Sequence, residues 1–333
     1  MKIQLSHRFE DIISVDNLLE AWHEFSRGKR KRKDVQDFAF LLMDNIFSLH
    51  NDLASGAYRH GGYHAFRIAD PKPRDIHKAS VRDRMLHHAV YRILYPFFDK
   101  TFIADSFSCR VGKGTHMALN RFKEFGYQVS RNHTKTCWVL KGDIKKFFAN
   151  IDHDVLAGVL GTYISDRNIV CLLANIIGSF NFIQPGAGLP LGNLTSQLFV
   201  NVYMNEFDQF VKHMLKAKYY IRYADDFVIL SEDRNWMESQ IMLIRKFLQE
   251  RLKLAIHEDK IFVRTLSSGV DWLGWIHFSD HRVLRTATKR RMIKRIQSHP
   301  TQETVNSYFG LLQYGNARTL QTKIINEQFS SSF

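Results

Sequence analysis

The chain is poor in cysteine, poor in acid and free of long apolar runs. Its 333 residues include three cysteines, Cys109, Cys137 and Cys171, far apart and with no C-x-x-C pair. That excludes a disulfide framework and a thiolate zinc site, and fits reduced thiols inside a cell. No stretch of 18 apolar residues occurs, so no segment is expected to span a membrane. The start, Met1-Lys-Ile-Gln-Leu-Ser-His-Arg8, lacks the apolar core of a signal peptide. There is no internal repeat and no low-complexity linker. Asp and Glu number 33 against 47 Lys and Arg, for a net charge of +14. Such an excess points to a polyanionic partner, most often nucleic acid. With 45% hydrophobic residues the chain has ample core material, enough for two or three lobes at roughly 100–200 residues per domain.

Periodicity predicts the elements. Arg27-Gly-Lys-Arg-Lys-Arg-Lys33 has no apolar residue and reads as a solvated loop or an RNA-contacting arm. A helix is expected from Asp34, with Phe38, Leu41, Leu42, Leu49 and Leu53 at helical spacing, ending at Gly56. Tyr63 to Ile76 reads as two strands around a turn at Pro71-Lys-Pro73, with Arg67 and Arg74 inside it. Lys78 to Phe98 reads as a helix carrying Val81, Met85, Leu86, Val90, Ile93 and Leu94 inward. Thr136 to Leu140 is a strand running into Lys141-Gly-Asp143, and Asp152 is placed to cap a helix. The Gly/Pro-rich loop Gly186 to Gly192 leads into a helix with Phe199, Tyr203, Phe207, Phe210 and Met214 on one stripe. Met237 to Leu252 is a further amphipathic helix, Val270 to Phe278 a strand, and the chain from Arg285 onward is helical and basic.

The most informative stretch is Ile221-Arg-Tyr-Ala-Asp-Asp-Phe-Val-Ile-Leu230. Adjacent carboxylates, Asp225 and Asp226, sit between two β-branched and aromatic runs. They repel each other, and nearness to a sheet makes their desolvation costly. A divalent cation relieves both. Asp143 ends another expected strand about 80 residues upstream, so a sheet could bring the three carboxylates together as a site for two Mg²⁺ ions. Mg²⁺ needs few protein oxygens when substrate phosphates supply the rest, and two such ions stabilise the attacking and leaving oxygens of phosphoryl transfer. The alternatives are an aspartate in a turn and a polar hairpin tip.

The order of motifs resembles that of reverse transcriptases over nearly the whole chain. Lys141-Gly-Asp-Ile-Lys-Lys-Phe-Phe148 looks like the first palm motif of that family and Tyr223-Ala-Asp-Asp226 like its second catalytic motif. Between them, Gly188-Leu-Pro-Leu-Gly-Asn-Leu-Thr-Ser-Gln197 occupies the place of the template and nucleotide loop. Pro71-Lys-Pro-Arg-Asp-Ile76 and Asp83-Arg84 match the fingers, and Ser106-Phe-Ser-Cys-Arg-Val-Gly-Lys-Gly-Thr-His116 matches the segment before the palm. His257-Glu-Asp-Lys260 and Trp272-Leu-Gly-Trp275 match the last two palm motifs. Where most of the family has Gln before the loop glycine and Ser-Pro at the loop's end, this chain has Leu191-Gly192 and Ser196-Gln197. That departure, Gly28-Lys-Arg30 and the short length resemble the reverse transcriptases of diversity-generating retroelements.

The resemblance implies an α+β right-hand polymerase. Its parts would be fingers with a basic N-terminal arm (1–110), a first palm segment (111–152), an insertion (153–187), a second palm segment (188–280) and a short helical thumb (281–333). It implies metal binding by Asp143, Asp225, Asp226 and the Ile144 carbonyl, with Mg²⁺ as the metal and dNTPs as substrates. Arg74 and Arg67 would grip the triphosphate, and Phe148 would be the steric gate against a ribose 2′-OH. Lys260 would protonate pyrophosphate. Leu191, Gly192 and Gln197 would line the nucleotide site, with Leu191 removing a polar check on base-pair geometry, so that copying becomes error-prone at template adenines. Lys29, Arg30 and Arg32 in the arm, and Lys289, Arg290 and Lys294 on the thumb helix, would track nucleic acid. Expected partners are a template RNA, its hybrid with cDNA and a basic helical accessory variability protein, in the cytoplasm of a bacterium and encoded by it or by a phage. With only Glu303 and Glu327 as acids beyond Val283, no RNase H domain is expected. Two other readings stand beside this one: a retron, intron or defence reverse transcriptase, and a non-catalytic RNA-binding protein on a polymerase scaffold.

Overall fold

A computed structural model describes residues 3–69, 73–180, 184–322 and 324. The chain opens with four helices: α1 (Phe9–Ile13), α2 (Val15–Ser26), α3 (Lys33–Phe40) and α4 (Leu42–Ala54). An antiparallel hairpin follows, β1 (Tyr63–Ile68) and β2 (Arg74–Ala79), then α5 (Val81–Asp99) and α6 (Thr115–Val129). β3 (Trp138–Asp143) leads to α7 (His153–Gly161), α8 (Arg167–Gly178) and α9 (Leu194–Gln209). The hairpin β4 (Tyr219–Tyr223) and β5 (Asp226–Ser231) precedes α10 (Arg234–Leu252) and β6 (Phe262–Thr265). A small sheet of β7 (Val270–Trp272), β8 (Trp275–His277) and β9 (Arg282–Leu284) leads to α11 (Thr286–Ser298) and α12 (Gln302–Leu312).

The central sheet has the order β4-β5-β3-β6 and all its pairs are antiparallel. Strand side chains alternate between faces, and here both faces are buried. Leu140, Tyr220, Phe227 and Ile229 point into a large core shared with α2, α5, α7, α9 and α10. Val139, Ile221, Val228 and Leu230 point into a second core built with α6, β7, β8, α11 and α12. Burial on both faces explains why the strands read as continuous apolar runs rather than alternating ones. The first core is threaded by α9, in which Leu198, Phe199, Val200, Val202, Tyr203, Met204 and Phe207 are all buried.

Several expectations need correction. The helix from Asp34 is two helices, because Leu41 takes φ −116° and ψ 43° and breaks the ladder. Leu41 is therefore exposed rather than core. The α5 helix starts at Val81, not Lys78, because Ser80 caps it by accepting from the Asp83 N–H and Lys78 belongs to β2. Phe210 to Met214 is a π-turn after α9. Its wider winding shifts the helical phase and leaves Met214 exposed, so the expected stripe ends at Phe210. Val270 to Phe278 is a hairpin, not one strand, turning at Leu273-Gly274, where both residues have positive φ. That is the turn a tight hairpin prefers. The expected Pro71-Lys-Pro73 turn lies mostly outside the described residues. Asp152 caps α7 as expected, accepting from the Val155 N–H.

Candidate active site

The site is built by strand register. Asp143 ends β3 directly opposite Asp226, which starts β5, while Asp225 occupies the two-residue turn between β4 and β5. The Ile144 N–H donates to the Asp225 carbonyl at 3.1 Å and the Ile144 side chain is buried. Gly142 lies opposite Phe227, and a Cβ there would fall 2.3 Å from the phenyl ring. Only glycine lets that ring cross the strand, so the Gly-Asp pair at the end of β3 is a packing requirement as well as a motif.

The electrostatics are strained. Asp226 Oδ1 is buried with no hydrogen-bond partner. Burial raises the Asp226 carboxyl to about 6; Lys141 opposes this from 3.7 Å, while Asp225 and Asp143 add to it. Asp225 is also raised, chiefly by burial and then by Asp143, against the opposing charges of Lys260 and Arg74. Lys260 donates to Asp143 Oδ1 at 2.8 Å from a short 3₁₀ turn, Glu258–Lys260. Lys141 also donates to the Asp271 carbonyl at 2.8 Å.

The expected three-carboxylate cluster is thus assembled along the backbone, but its side chains do not close into a cage. Among the described residues no three His, Cys, Asp or Glu side chains converge as a ready-made metal site. The fit to a divalent cation rests instead on hard oxygens: Asp226 Oδ1, buried without a hydrogen bond, and the Asp225 and Asp226 carboxyls, whose charge burial penalises. Oxygen donors of this kind suit an ion that takes most of its ligands from phosphate and water.

The loop Gly188 to Gly192 packs against the β1–β2 hairpin. The His77 N–H donates to the Leu191 carbonyl at 3.1 Å, and Asn193 Nδ2 donates to the His77 carbonyl at 3.3 Å. Gly192 sits at φ +104°, and a Cβ there would come 3.0 Å from Ile76 Cγ2. Leu191 and Gln197 are half-buried. Arg74 is exposed at the tip end of β2, and its charge reaches Asp225. Arg67 is exposed and lies 3.9 Å from Asp75. Phe147 is buried as a core ring. Its neighbour Phe148 is half-buried, edge-on to it at 5.5 Å, and its carbonyl accepts from the Leu189 N–H at 2.8 Å.

The basic residues divide. Lys289, Arg290 and Lys294 are exposed on α11, while Met292 and Ile296 dock it into the second core. The N-terminal run is not a free arm. Its backbone folds into turns, Lys29 to Ser26 and Arg32 to Lys29. Lys29 lies 4.6 Å over the Phe25 ring, and its pKa is lowered by burial and then by Arg84 and Arg32. Arg30 and Arg32 remain exposed.

Sequence reasoning missed the support beneath the hairpin. Arg222 and Asp208 are completely buried and pair twice, Nε to Oδ1 at 2.7 Å and Nη2 to Oδ2 at 2.8 Å. The Tyr220 hydroxyl donates to Asp208 Oδ1 at 2.7 Å, and Arg222 Nη2 donates to Ser106 Oγ at 3.0 Å. Burial works against the Arg222 charge, but Asp208 outweighs it and the pKa is raised. Arg222 Nη1 then donates to the Ala224 carbonyl at 3.1 Å. Ala224 holds φ +54°, a left-handed conformation unfavourable for a residue with a Cβ. The buried guanidinium therefore holds the strained turn that presents Asp225. A signal was there to find: Arg222 shares the inward face of β4 with Tyr220, and a charge on a core-facing strand position calls for a buried partner.

Residues 69–277 match the model of a family described as reverse transcriptase (RNA-dependent DNA polymerase). Protein YkfC of Escherichia coli (strain K12) is 25% identical over 303 residues, which cover 78% of this chain and 76% of YkfC. The group II intron-encoded protein LtrA of Lactococcus lactis subsp. cremoris is 26% identical over 291 residues, which cover 66% of this chain and 46% of LtrA. The chain thus spans less than half the length of that relative. Telomerase from Candida albicans, solved with a TWJ fragment of telomeric RNA, superposes with a TM-score of 0.51 at 12% identity, covering 81% of this chain and 55% of that one. At that identity the likeness shows the fold alone, a mixed helix-and-sheet arrangement around an antiparallel sheet. Among the described residues no helix is long and apolar enough to cross a membrane.

Proposed function

The chain belongs to the reverse transcriptase (RNA-dependent DNA polymerase) family, and on that premise we propose that it copies an RNA template into DNA by extending a primer with deoxyribonucleotides. The family uses divalent metal ions and dNTPs; Mg²⁺ is the ion proposed here. The observation that carries the reading is the register that sets Asp143 against Asp226 with Asp225 in the adjoining turn.

Two bound Mg²⁺ would activate the primer 3′-hydroxyl and neutralise charge building on the phosphates. The chain's own groups supply the rest. Asp143, Asp225 and Asp226 offer the oxygens, with the Ile144 carbonyl beside them. Arg74, and Arg67 beyond it, hold the triphosphate through forked cationic donors. The half-buried Phe148 ring blocks the space of a ribose 2′-OH. Lys260, already hydrogen-bonded to Asp143, donates a proton to the departing pyrophosphate. The exposed cations of α11 and of the N-terminal turns follow the phosphate backbone of template and hybrid. In this reading residues 1–110 are fingers, 111–152 and 188–280 the palm, 153–187 an insertion, and residues from 281 the thumb.

The finer reading is the polymerase of a diversity-generating retroelement, working in the cytoplasm with a basic helical accessory protein. Leu191 supports it: an apolar side chain in the nucleotide loop makes no hydrogen bond that a mispair would break. A second reading, a group II intron-type enzyme, is favoured by the likeness to LtrA. Extension of a primed RNA template, alone and with accessory protein and cognate RNA, tests the activity. Wild type should extend and Asp225→Asn should not; a wild type inert under all conditions would instead favour an RNA-binding scaffold. Leu191→Gln should lower misincorporation opposite template adenine. An unchanged error spectrum would leave the intron-type reading, which intron ends in the flanking DNA, rather than an imperfect repeat pair, would support.

A further inference from the structure

Helix α4 carries two apolar faces where a surface helix ordinarily has one. Ile46, Leu49 and Leu53 are buried in the large core. Met43, Phe47, His50 and Ala54 follow the i, i+4, i+7 and i+11 spacing of a second stripe, about a quarter turn from the first. Met43 and Phe47 are exposed. So are Leu41 and Phe40 at the elbow just before α4, with Phe40 at 86%. Of the thirteen exposed large apolar side chains among the described residues, these four fall within eight positions. Single exposed apolar side chains are ordinary, but such a cluster marks an interaction site. At its far end the stripe enters a cavity of about 750 Å³, where His50 and Ala54 meet Phe9 and Ile13 of α1 and Leu172 of α8. From Met43 to Ala54 the stripe runs about 16 Å, three turns of a docked helix.

The charge around this face is the reverse of the chain's. Residues 34–58 hold four aspartates and neither lysine nor arginine, in a chain of net charge +14. Asp34 is taken by Lys78 and Arg84, and Asp52 by Arg82. Asp37 and Asp44 are exposed and have no ion-pair partner among the described residues. The same holds for Glu10 of α1, which lines the cavity. Arg59, at the cavity's edge, donates to the Gly56 and Tyr58 carbonyls at 3.1 and 2.8 Å. The basic run that ends at Lys33 lies at the opposite end of α3, about 10 Å from Phe40 along the helix. Nucleic acid is therefore the wrong occupant for this face, because its phosphates would meet free carboxylates.

We propose that α4 and the cavity beside it form a docking groove for a partner protein, which lays an amphipathic helix along the second stripe. The partner's apolar side chains cover Phe40, Met43 and Phe47 and fill the cavity between α1 and α8. Lysines or arginines at the edges of its apolar face meet Glu10, Asp37 and Asp44. Helices enter such grooves through anchors at i, i+4 and i+7, the spacing that α4 itself displays. None of these residues belongs to the carboxylate site or the nucleotide loop, so docking is independent of the polymerase reading and its test reads binding alone.

Two helical peptides with the same leucine face, one flanked by lysines and the other by glutamates, are titrated against the full chain by fluorescence anisotropy at matched ionic strength. With a net charge of +14, whole-molecule electrostatics favour the glutamate peptide, whereas the local rim favours the lysine peptide. The expected result is saturable binding of the lysine peptide, tighter than the glutamate peptide by about tenfold. Asp37→Lys combined with Asp44→Lys should reverse that order. Phe47→Ser should weaken the lysine peptide by about tenfold or more. All three positions are exposed, so the fold should persist, which circular dichroism checks; if Phe47→Ser misfolds, Met43→Ser carries the decision. A glutamate preference, equal binding of the two peptides, or lysine-peptide binding that survives the serine variant overturns the proposal. Sedimentation of the chain by itself should show a monomer. A dimer that Phe47→Ser dissolves would also overturn the proposal and give the face to a second copy of this chain.

Discussion

Replacing Asp226 by Asn should make the metal-free protein more stable while abolishing its polymerase activity. In the folded chain the Asp226 carboxyl titrates at about 6, against an ordinary value of 3.8. Between these pH values the folded state holds a proton that the unfolded chain has released. Stability therefore falls as pH rises through that window, and above pH 6 the ionised carboxylate costs the folded state ~3 kcal/mol, at 1.36 kcal/mol per pKa unit. Burial is the main cause, Lys141 at 3.7 Å offsets it only in part, and Oδ1 has no hydrogen-bond partner. Asparagine keeps the shape and removes the charge. Lys141 is not orphaned, because it retains its bond to the Asp271 carbonyl. Urea denaturation in EDTA at pH 5 and pH 7.5 should show the variant gaining up to ~3 kcal/mol at the higher pH, with a flatter dependence between pH 4 and 6. Some slope should survive, since Asp225 is raised for the same reason. Added Mg²⁺ should stabilise wild type more than the variant. A variant less stable than wild type at pH 7.5, or one with an unchanged pH profile, would refute the claim that burial strains this carboxylate in the absence of metal.

Other outcomes follow from single contacts. Asp208→Ala leaves Arg222 buried without its counter-charge and should cost ~3–5 kcal/mol in chemical denaturation; a loss under ~1 kcal/mol would show that the ion pair does not hold the hairpin. Gly192→Ala adds a Cβ at φ +104° against Ile76. It should destabilise by about 1–2 kcal/mol and raise the KM for dNTP in primer extension, because the bond between His77 and Leu191 must shift. An unchanged KM would separate the loop from nucleotide binding. Phe148→Val should raise ribonucleotide incorporation by about tenfold or more over wild type, read on extension gels. Equal discrimination in both proteins would assign Phe148 to the core with Phe147.

Local signals carried well wherever neighbours in sequence are also neighbours in space. The β4–β5 hairpin, the Asp152 cap and the docked, cation-bearing face of α11 all lie where the residue pattern placed them. The failures fall where local propensity is overridden. Leu41 breaks a helix that its periodicity continued, the π-turn at Phe210 rotates Met214 out of the core, and Leu273-Gly274 folds one apolar run into two strands. In each case a backbone conformation that packing selects changes the phase of the pattern, which periodicity assumes constant.

The sequence by itself determined the chemistry: three carboxylates, a glycine ahead of the first, an apolar residue in the loop, and an excess of cations. Their types and order needed no coordinates. Tertiary structure alone decided the alignment. The register that sets Asp143 against Asp226 joins strands over 80 residues apart, and no local rule specifies such pairing; the inward sets of both strands choose it by burying Leu140 and Ile229 on one face and Val139 and Val228 on the other. The same long-range packing buries Arg222 against Asp208 and draws the Ala224 turn into its strained shape.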